Sequence, residues 1–195
     1  MIEKTFATPS GDVHYWVSSP VDTMRPWMVF LPGLTADHTL FDAQLAAFRE
    51  RANCLTWDAP AHGESRPFAL DFTMDSLADM MRAILQKEAH AEQEKRSPAE
   101  SAMQPDAENA TAFPTEEAAR PIIVGQSLGG YIAQAYIDLH PGEVRGFVSI
   151  DSAPLQRRYM TGAEMWMLKH TKLMYLSIPW KFLLWWGPQG TAQTD

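Results

Sequence analysis

The apolar positions of this chain alternate between short continuous runs and stripes at helical spacing. Residues 2–7 and 12–18 flank the turn-forming sequence Thr8-Pro9-Ser10-Gly11 and predict an antiparallel pair of strands. Later apolar segments predict further strands, and the continuous apolar run at residues 27–31 is typical of a strand buried on both faces of a parallel sheet. These segments cover residues 27–31, 54–57, 121–125 and 144–150. Helical stripes cover residues 40–52, 73–87 and 127–140. This alternation favours an α/β fold with a mostly parallel sheet and an antiparallel opening pair.

Two segments depart from this alternation. Residues 88–120 contain eight acidic and three basic residues and few large apolar ones, which predicts a mobile, solvated acidic insertion. Residues 157–195 contain four of the seven Trp residues and several Met residues, so this stretch is expected to cover another surface. We therefore divide the chain into a core, residues 1–156, and a second region, residues 157–195.

Composition and charge narrow the classes of function. The chain has 195 residues, 46% of them hydrophobic, and a formal net charge of -8, which fits one globular domain. The acidic balance, with no basic cluster longer than Arg157-Arg158, argues against nucleic-acid binding. Charged residues interrupt the longest apolar stretch, residues 163–186, so no membrane span is predicted. A single cysteine, Cys54, and a polar N-terminus favour a cytoplasmic location.

The motif that carries chemistry is Gly125-Gln126-Ser127-Leu128-Gly129-Gly130, placed where a buried strand turns into a helix. A Ser in such a turn is lifted out at the carboxyl edge of the sheet as a nucleophile, and the flanking glycines keep the turn free of Cβ atoms. The backbone N–H of Leu128 is the first expected oxyanion donor, at the positive end of the helix. The alternative is a Gly-Ser turn that only joins strand to helix.

The chain resembles the α/β-hydrolase fold family at this strand-to-helix turn, residues 125–130, and at two further loops. We call the turn the nucleophile elbow, or the elbow for short. Leu31-Pro32-Gly33-Leu34 resembles the loop after the family's third strand, which implies the N–H of Leu34 as second oxyanion donor. The segment 58–65 resembles the family's Asp-x-Pro-Gly-His-Gly-x-Ser loop, with Ala61 in place of Gly, and this loop is mostly structural in the family. The resemblance implies a three-layer α/β/α sandwich, incomplete at the C-terminus, with residues 157–195 as the start of a helical cap.

A serine nucleophile needs a base and a carboxylate that orients the base. The family places its acid and His after later strands, beyond the cap, so the expected positions are not present in this sequence. Two weak internal candidates remain, Asp151 after the last predicted core strand and His62 in the loop 58–65. His38, in the oxyanion loop, is a further histidine that could approach the pocket.

The function implied by the resemblance is hydrolysis of a carboxylic ester, thioester, lactone or similar carbonyl substrate by Ser127, without metal or organic cofactor. The Trp-rich and Met-rich region suggests a small apolar or acyl-type substrate and a homo-oligomer formed through the exposed cap. As a 195-residue chain, the protein is expected to be catalytically incomplete. The alternatives are a non-catalytic fragment or a remnant that binds a ligand or partner, and an acyltransferase that uses the same elbow.

Overall fold

The structure is a computed structural model that describes residues 1–22, 24–95, 120–154, 161–179 and 181–182. The chain divides into two compact units, Met1–Ala153 and Pro154–Asp195. Among the described residues, the first unit contains the six-stranded sheet with the helices that pack on it, and the second unit contains a helix over Gly162–Ser177.

The first unit is built on one six-stranded sheet. Its strands are β1 (Ile2–Thr8), β2 (Gly11–Val17), β3 (Trp27–Leu31), β4 (Asn53–Trp57), β5 (Ile122–Gln126) and β6 (Gly146–Ile150). Their order across the sheet is β1-β2-β4-β3-β5-β6. Strands β4, β3, β5 and β6 run parallel, whereas β1 and β2 form an antiparallel pair and β2 lies antiparallel to β4. Loops that follow β3, β4, β5 and β6 therefore meet at one edge of the sheet.

Helices cover both faces of this sheet. They are α1 (Asp42–Phe48), preceded by a 3-10 helix (His38–Phe41), α2 (Met74–Lys95) and α3 (Leu128–Leu139). Leu77 and Met81 of α2 and Ile132 of α3 pack with the buried side chains of one sheet face. Phe41 and Leu45, from the 3-10 helix and α1, pack against the opposite face. The arrangement is the three-layer α/β/α sandwich expected from the sequence.

Every predicted core strand is present, with ends that differ by no more than two residues. The largest difference concerns α2, which continues past Lys87 to Lys95. Glu88, assigned above to the solvated insertion, is only 3% exposed and accepts hydrogen bonds from Lys4 Nζ (2.5 Å) and Tyr15 Oη (2.7 Å). A buried carboxylate needs such partners, and charge counting along the sequence does not reveal them. The rest of the predicted insertion, residues 96–119, lies outside the described residues.

The second unit contains α4 (Gly162–Ser177). Residues 157–160, 180 and 183–195 of the predicted cap region, and residues 155–156 of the predicted core, lie outside the described residues. Within the part that is described, no helix is long and apolar enough to cross a membrane.

Candidate active site

Ser127 occupies the single residue between β5 and α3. Its backbone has φ +48° and ψ −113°, a conformation that L residues rarely adopt and that costs about 1–3 kcal/mol. Three backbone hydrogen bonds hold it there. The N–H of Ser127 donates to Ile150 O (2.8 Å), and its C=O accepts from the N–H groups of Gly130 (3.0 Å) and Tyr131 (3.2 Å). The strained turn is therefore fixed by both β6 and the first turn of α3.

Glycines allow the elbow to pack backbone against backbone. A Cβ on Gly129 would lie 1.9 Å from Leu31 O, and a Cβ on Gly125 would lie 2.5 Å from Gly129 O. A Cβ on Gly130 would meet Ser152 Oγ at 2.0 Å. A side chain does not fit at Gly125 or Gly129, because these contacts are with main-chain atoms that cannot rotate away, and at Gly130 the Ser152 side chain occupies the space. The flanking glycines thus have the steric role expected from the motif.

Ser152 supports the elbow from the end of β6, a role that the sequence pattern does not reveal. Its Oγ donates to Ser127 O at 2.8 Å, in the space that Gly130 leaves free. The two serines are 25 positions apart in the sequence, so the contact depends on the register of β5 against β6. The missing Cβ at Gly130 is the only hint that the sequence offers.

The loop after β3 passes directly beside Ser127. An ideal Cβ built on Gly33 would lie 3.1 Å from Ser127 Cβ, so the two backbones approach closely. Leu34 follows, and its N–H donates to none of the described backbone groups. Leu128 is the first residue of α3, so its N–H has no acceptor within that helix. Both amides named in the sequence analysis are thus near Ser127 and without a partner in the described backbone.

A buried carboxylate, Asp58, organises the loop after β4. It is completely buried, and its Oδ1 accepts from the N–H of His38 (2.7 Å) while its Oδ2 accepts from the N–H of Glu64 (2.8 Å). Ser65 Oγ donates to Asp58 O (2.7 Å) and accepts from the N–H of His14 (2.8 Å). Asp58 and Ser65 therefore fasten two loops to the sheet.

His38 belongs to this fastening network. Its Nδ1 lies 3.0 Å from Asp58 Oδ1, and its ring stacks on Trp16 of β2 with centroids 3.5 Å apart. The two partners that hold the His38 ring, Asp58 after β4 and Trp16 on β2, lie two and three strands from β5 in the sheet order. The geometry does not bring His38 to the nucleophile.

His62 lines a cavity of about 360 Å³ between the loops that follow β3 and β4. Leu34, Asp37 and Arg66 also line it. The Nδ1 of His62 lies 3.0 Å from Pro60 O, and since a carbonyl can only accept, Nδ1 carries the proton and Nε2 is left as the basic nitrogen. Hydrogen bonds from Thr39 hold the pKa of Asp37 below its usual value, so this wall of the cavity carries a negative charge.

Asp151 follows β6, directly after the residue whose carbonyl accepts from the N–H of Ser127. Its side chain is exposed, and its backbone φ is +52°. Among the described residues, no histidine hydrogen-bonds to Asp151 or to Ser127. The structure therefore brings Asp151 near the elbow, places His62 at the neighbouring cavity, and assembles no Ser-His-acid relay from the residues it describes.

Comparison with known proteins places this geometry in a family. A family model described as "Alpha/beta hydrolase family" matches residues 28–192. The chain belongs to the α/β-hydrolase family. A search of curated protein sequences gave no match.

Solved α/β-hydrolase structures share the fold at low sequence identity. The N-acyl homoserine lactonase AidH is 20% identical with a TM-score of 0.57, over 81% of this chain and 47% of that one. A membrane phospholipase A is 18% identical with a TM-score of 0.55, and the match covers 80% of this chain and 41% of the phospholipase. An α/β hydrolase from Novosphingobium aromaticivorans is 18% identical with a TM-score of 0.54, and the match covers 76% of this chain and 43% of that hydrolase. The chain spans about half the length of the structures it matches.

Proposed function

We propose that this chain carries the nucleophile and the oxyanion site of a serine hydrolase that acts on a carboxylic ester, thioester or lactone. The observation that carries the proposal is the positive-φ conformation of Ser127, held between β6 and α3 with the loop after β3 against it. A turn that only joins strand to helix has no need of this strain. The strained conformation is maintained by close packing of main-chain atoms against Gly125 and Gly129 and by the hydrogen bond from Ser152 Oγ to Ser127 O.

The proposed reaction begins with attack of Ser127 Oγ on the substrate carbonyl carbon. The carbonyl oxygen becomes an oxyanion, which the N–H groups of Leu34 and Leu128 stabilise together with the positive end of α3. Collapse of the tetrahedral intermediate expels the alkoxide or thiolate and leaves an acyl-serine. Water then attacks the acyl-serine, releases the acid and restores the serine hydroxyl.

Each of these steps moves a proton through a general base. We propose that the 195-residue chain lacks this base, since none of the described histidines hydrogen-bonds to Ser127 and His38 is held by Asp58 and Trp16. His62 is the internal candidate that the geometry leaves open, because its Nε2 is the basic nitrogen and its cavity adjoins Leu34.

The structural neighbours support an acyl substrate, since they include a lactonase for N-acyl homoserine lactones and a phospholipase A. We further propose a cytoplasmic location. Cys54 is buried and in the thiol form, which suits a reducing compartment.

Chemical rescue tests the proposal. Imidazole supplied in solution can replace a missing base, so the chain is assayed with p-nitrophenyl butyrate at increasing imidazole concentration. Ser127→Ala, measured in parallel, gives the background hydrolysis by imidazole itself. We expect a difference between the two proteins that is near zero without imidazole and rises with the concentration of its free base.

Two other outcomes are informative. No difference at any imidazole concentration, from a chain that is folded by circular dichroism, overturns the assignment of Ser127 and leaves a non-catalytic chain. A large difference between the chain and Ser127→Ala without imidazole supports Ser127 as the nucleophile and contradicts the proposal that the chain lacks a base. His62→Gln then shows whether His62 supplies the base.

A further inference from the structure

The charge of the chain is divided unevenly between its two regions. Residues 157–195 contain five basic and two acidic residues, a formal net charge of +3. Residues 1–156 contain 11 basic and 22 acidic residues, a formal net charge of -11. The basic region also holds four of the seven Trp residues. Residues 157–195 therefore differ from residues 1–156 in both charge and Trp content.

Helix α4 exposes large apolar side chains on one side. Trp166 is 60% and Leu173 63% exposed, and their spacing of seven residues places them on the same side of the helix, two turns apart. His170 lies between them and stacks on Trp166, with ring centroids 4.5 Å apart. Lys169 and Lys181 are both exposed. The described surface of this unit thus combines a Trp and a Leu with basic groups.

This combination matches the chemistry of a bilayer surface. Trp and Leu side chains favour the acyl boundary of a bilayer, whereas Lys side chains favour the headgroups. Lys169 lies on the same side of α4 as Trp166 and Leu173, and the long stem of a lysine lets its ammonium group extend to the headgroups. Anionic headgroups attract such basic segments, and the attraction is short-ranged because salt screens it. A symmetric contact between this segment and the same segment of a second copy would instead bring two net charges of +3 together. The charge and the side-chain types therefore favour an anionic lipid surface over a symmetric contact between two copies of this segment.

We propose that the surface of α4 formed by Trp166, Lys169 and Leu173, with Lys181 beyond the helix, docks this protein on the surface of an anionic lipid bilayer. The helix lies on the membrane and does not cross it, in agreement with the lack of a spanning helix in the described part of the chain. The proposal is independent of the chemistry assigned to Ser127. It requires only the charge and exposure of the second unit.

Vesicle co-sedimentation of the full 195-residue chain tests this docking. The vesicles are phosphatidylcholine alone and a 70:30 mixture of phosphatidylcholine and phosphatidylglycerol. We expect partition to the mixed vesicles that weakens at high salt, and little partition to phosphatidylcholine alone. Lys169→Gln combined with Lys181→Gln lowers the partition coefficient roughly 25-fold, because each basic group near an anionic surface contributes about fivefold. Trp166→Ser combined with Leu173→Ser lowers it about tenfold or more.

Matched controls come from the first unit, where Leu70 is 81% exposed and the Arg49 side chain 63%. Leu70→Ser and Arg49→Gln should leave partition unchanged. The proposal is overturned if the chain does not bind the mixed vesicles, or if the α4 variants bind as well as the controls. It is also overturned if sedimentation equilibrium shows a dimer that Trp166→Ser with Leu173→Ser dissociates while no vesicle binding occurs.

Discussion

Gly129→Ala tests the close packing of the elbow. A Cβ at this position would lie 1.9 Å from Leu31 O and 2.5 Å from Leu31 C. An ordinary carbon–oxygen contact is about 3.3 Å, so α3 and β3 must separate by roughly 1.4 Å. Both obstacles are main-chain atoms in a buried strand, and overpacking of this kind costs about 1–3 kcal/mol or more. We expect the free energy of unfolding to fall by at least about 3 kcal/mol, a large share of the roughly 5–15 kcal/mol of a typical domain.

The assay is urea unfolding followed by circular dichroism, with linear extrapolation to water. Gly146→Ala is the matched control, since its Cβ would meet only Ile122 side-chain atoms at 3.8 Å, an ordinary contact. The control should unfold within about 0.5 kcal/mol of the wild type. If Gly129→Ala also lies within about 0.5 kcal/mol, the close approach of α3 to β3 is wrong, and the strained elbow loses its main support.

Three further predictions concern residues outside the elbow. Ala61 has φ +66°, a strained conformation for a residue with a Cβ, so Ala61→Gly should raise the free energy of unfolding, measured in urea, by about 0.5–1 kcal/mol. Ala46→Gly on α1 is the control and should lower the free energy of unfolding. Equal effects of the two substitutions would contradict backbone strain at Ala61. Hydrogen bonds from Arg82 hold the pKa of Glu143 below its usual value. The Arg82–Glu143 pair therefore stabilises the folded state fully above about pH 4.3, and this stabilisation is lost as the pH falls through the lowered pKa of Glu143. The stability difference between wild type and Glu143→Gln should therefore shrink from pH 5 to pH 3, and a difference constant over that range would refute the pairing. Burial raises the pKa of Cys54 to about 11, so iodoacetamide at pH 8 should label it only after unfolding, and rapid labelling of the folded chain would show that this strand is not buried.

The regular elements were predictable because they depend on local patterns. Apolar runs at 27–31 and 54–57 and the helical stripe at 127–140 each report burial directly in the sequence. The elbow was predictable for a similar reason, since glycines on both sides of a Ser between strand and helix have a steric meaning that needs no knowledge of the rest of the fold. Ala61 is a further case in which a glycine position in a motif indicates an unusual backbone conformation. It stands where the family has Gly, and the structure gives it a positive φ.

Contacts between distant segments were not predictable. Glu88 reads as one more charge in an acidic stretch, yet Lys4 and Tyr15 hold it in a buried position. Ser152 reads as a loop residue, although it donates to the carbonyl of Ser127. His38 reads as a histidine near the pocket, but the sheet order places its partner Trp16 three strands from β5. Each case depends on strand order or register, which one sequence does not specify.

The most direct test of the account is the site of covalent modification by an activated phosphonate. The chain is treated with a fluorophosphonate in the presence of imidazole, digested, and mapped by mass spectrometry. The account predicts one adduct, on the peptide containing Ser127, and none in Ser127→Ala. An adduct on another serine, or none from a folded chain, would contradict the assignment of this elbow as the nucleophilic site.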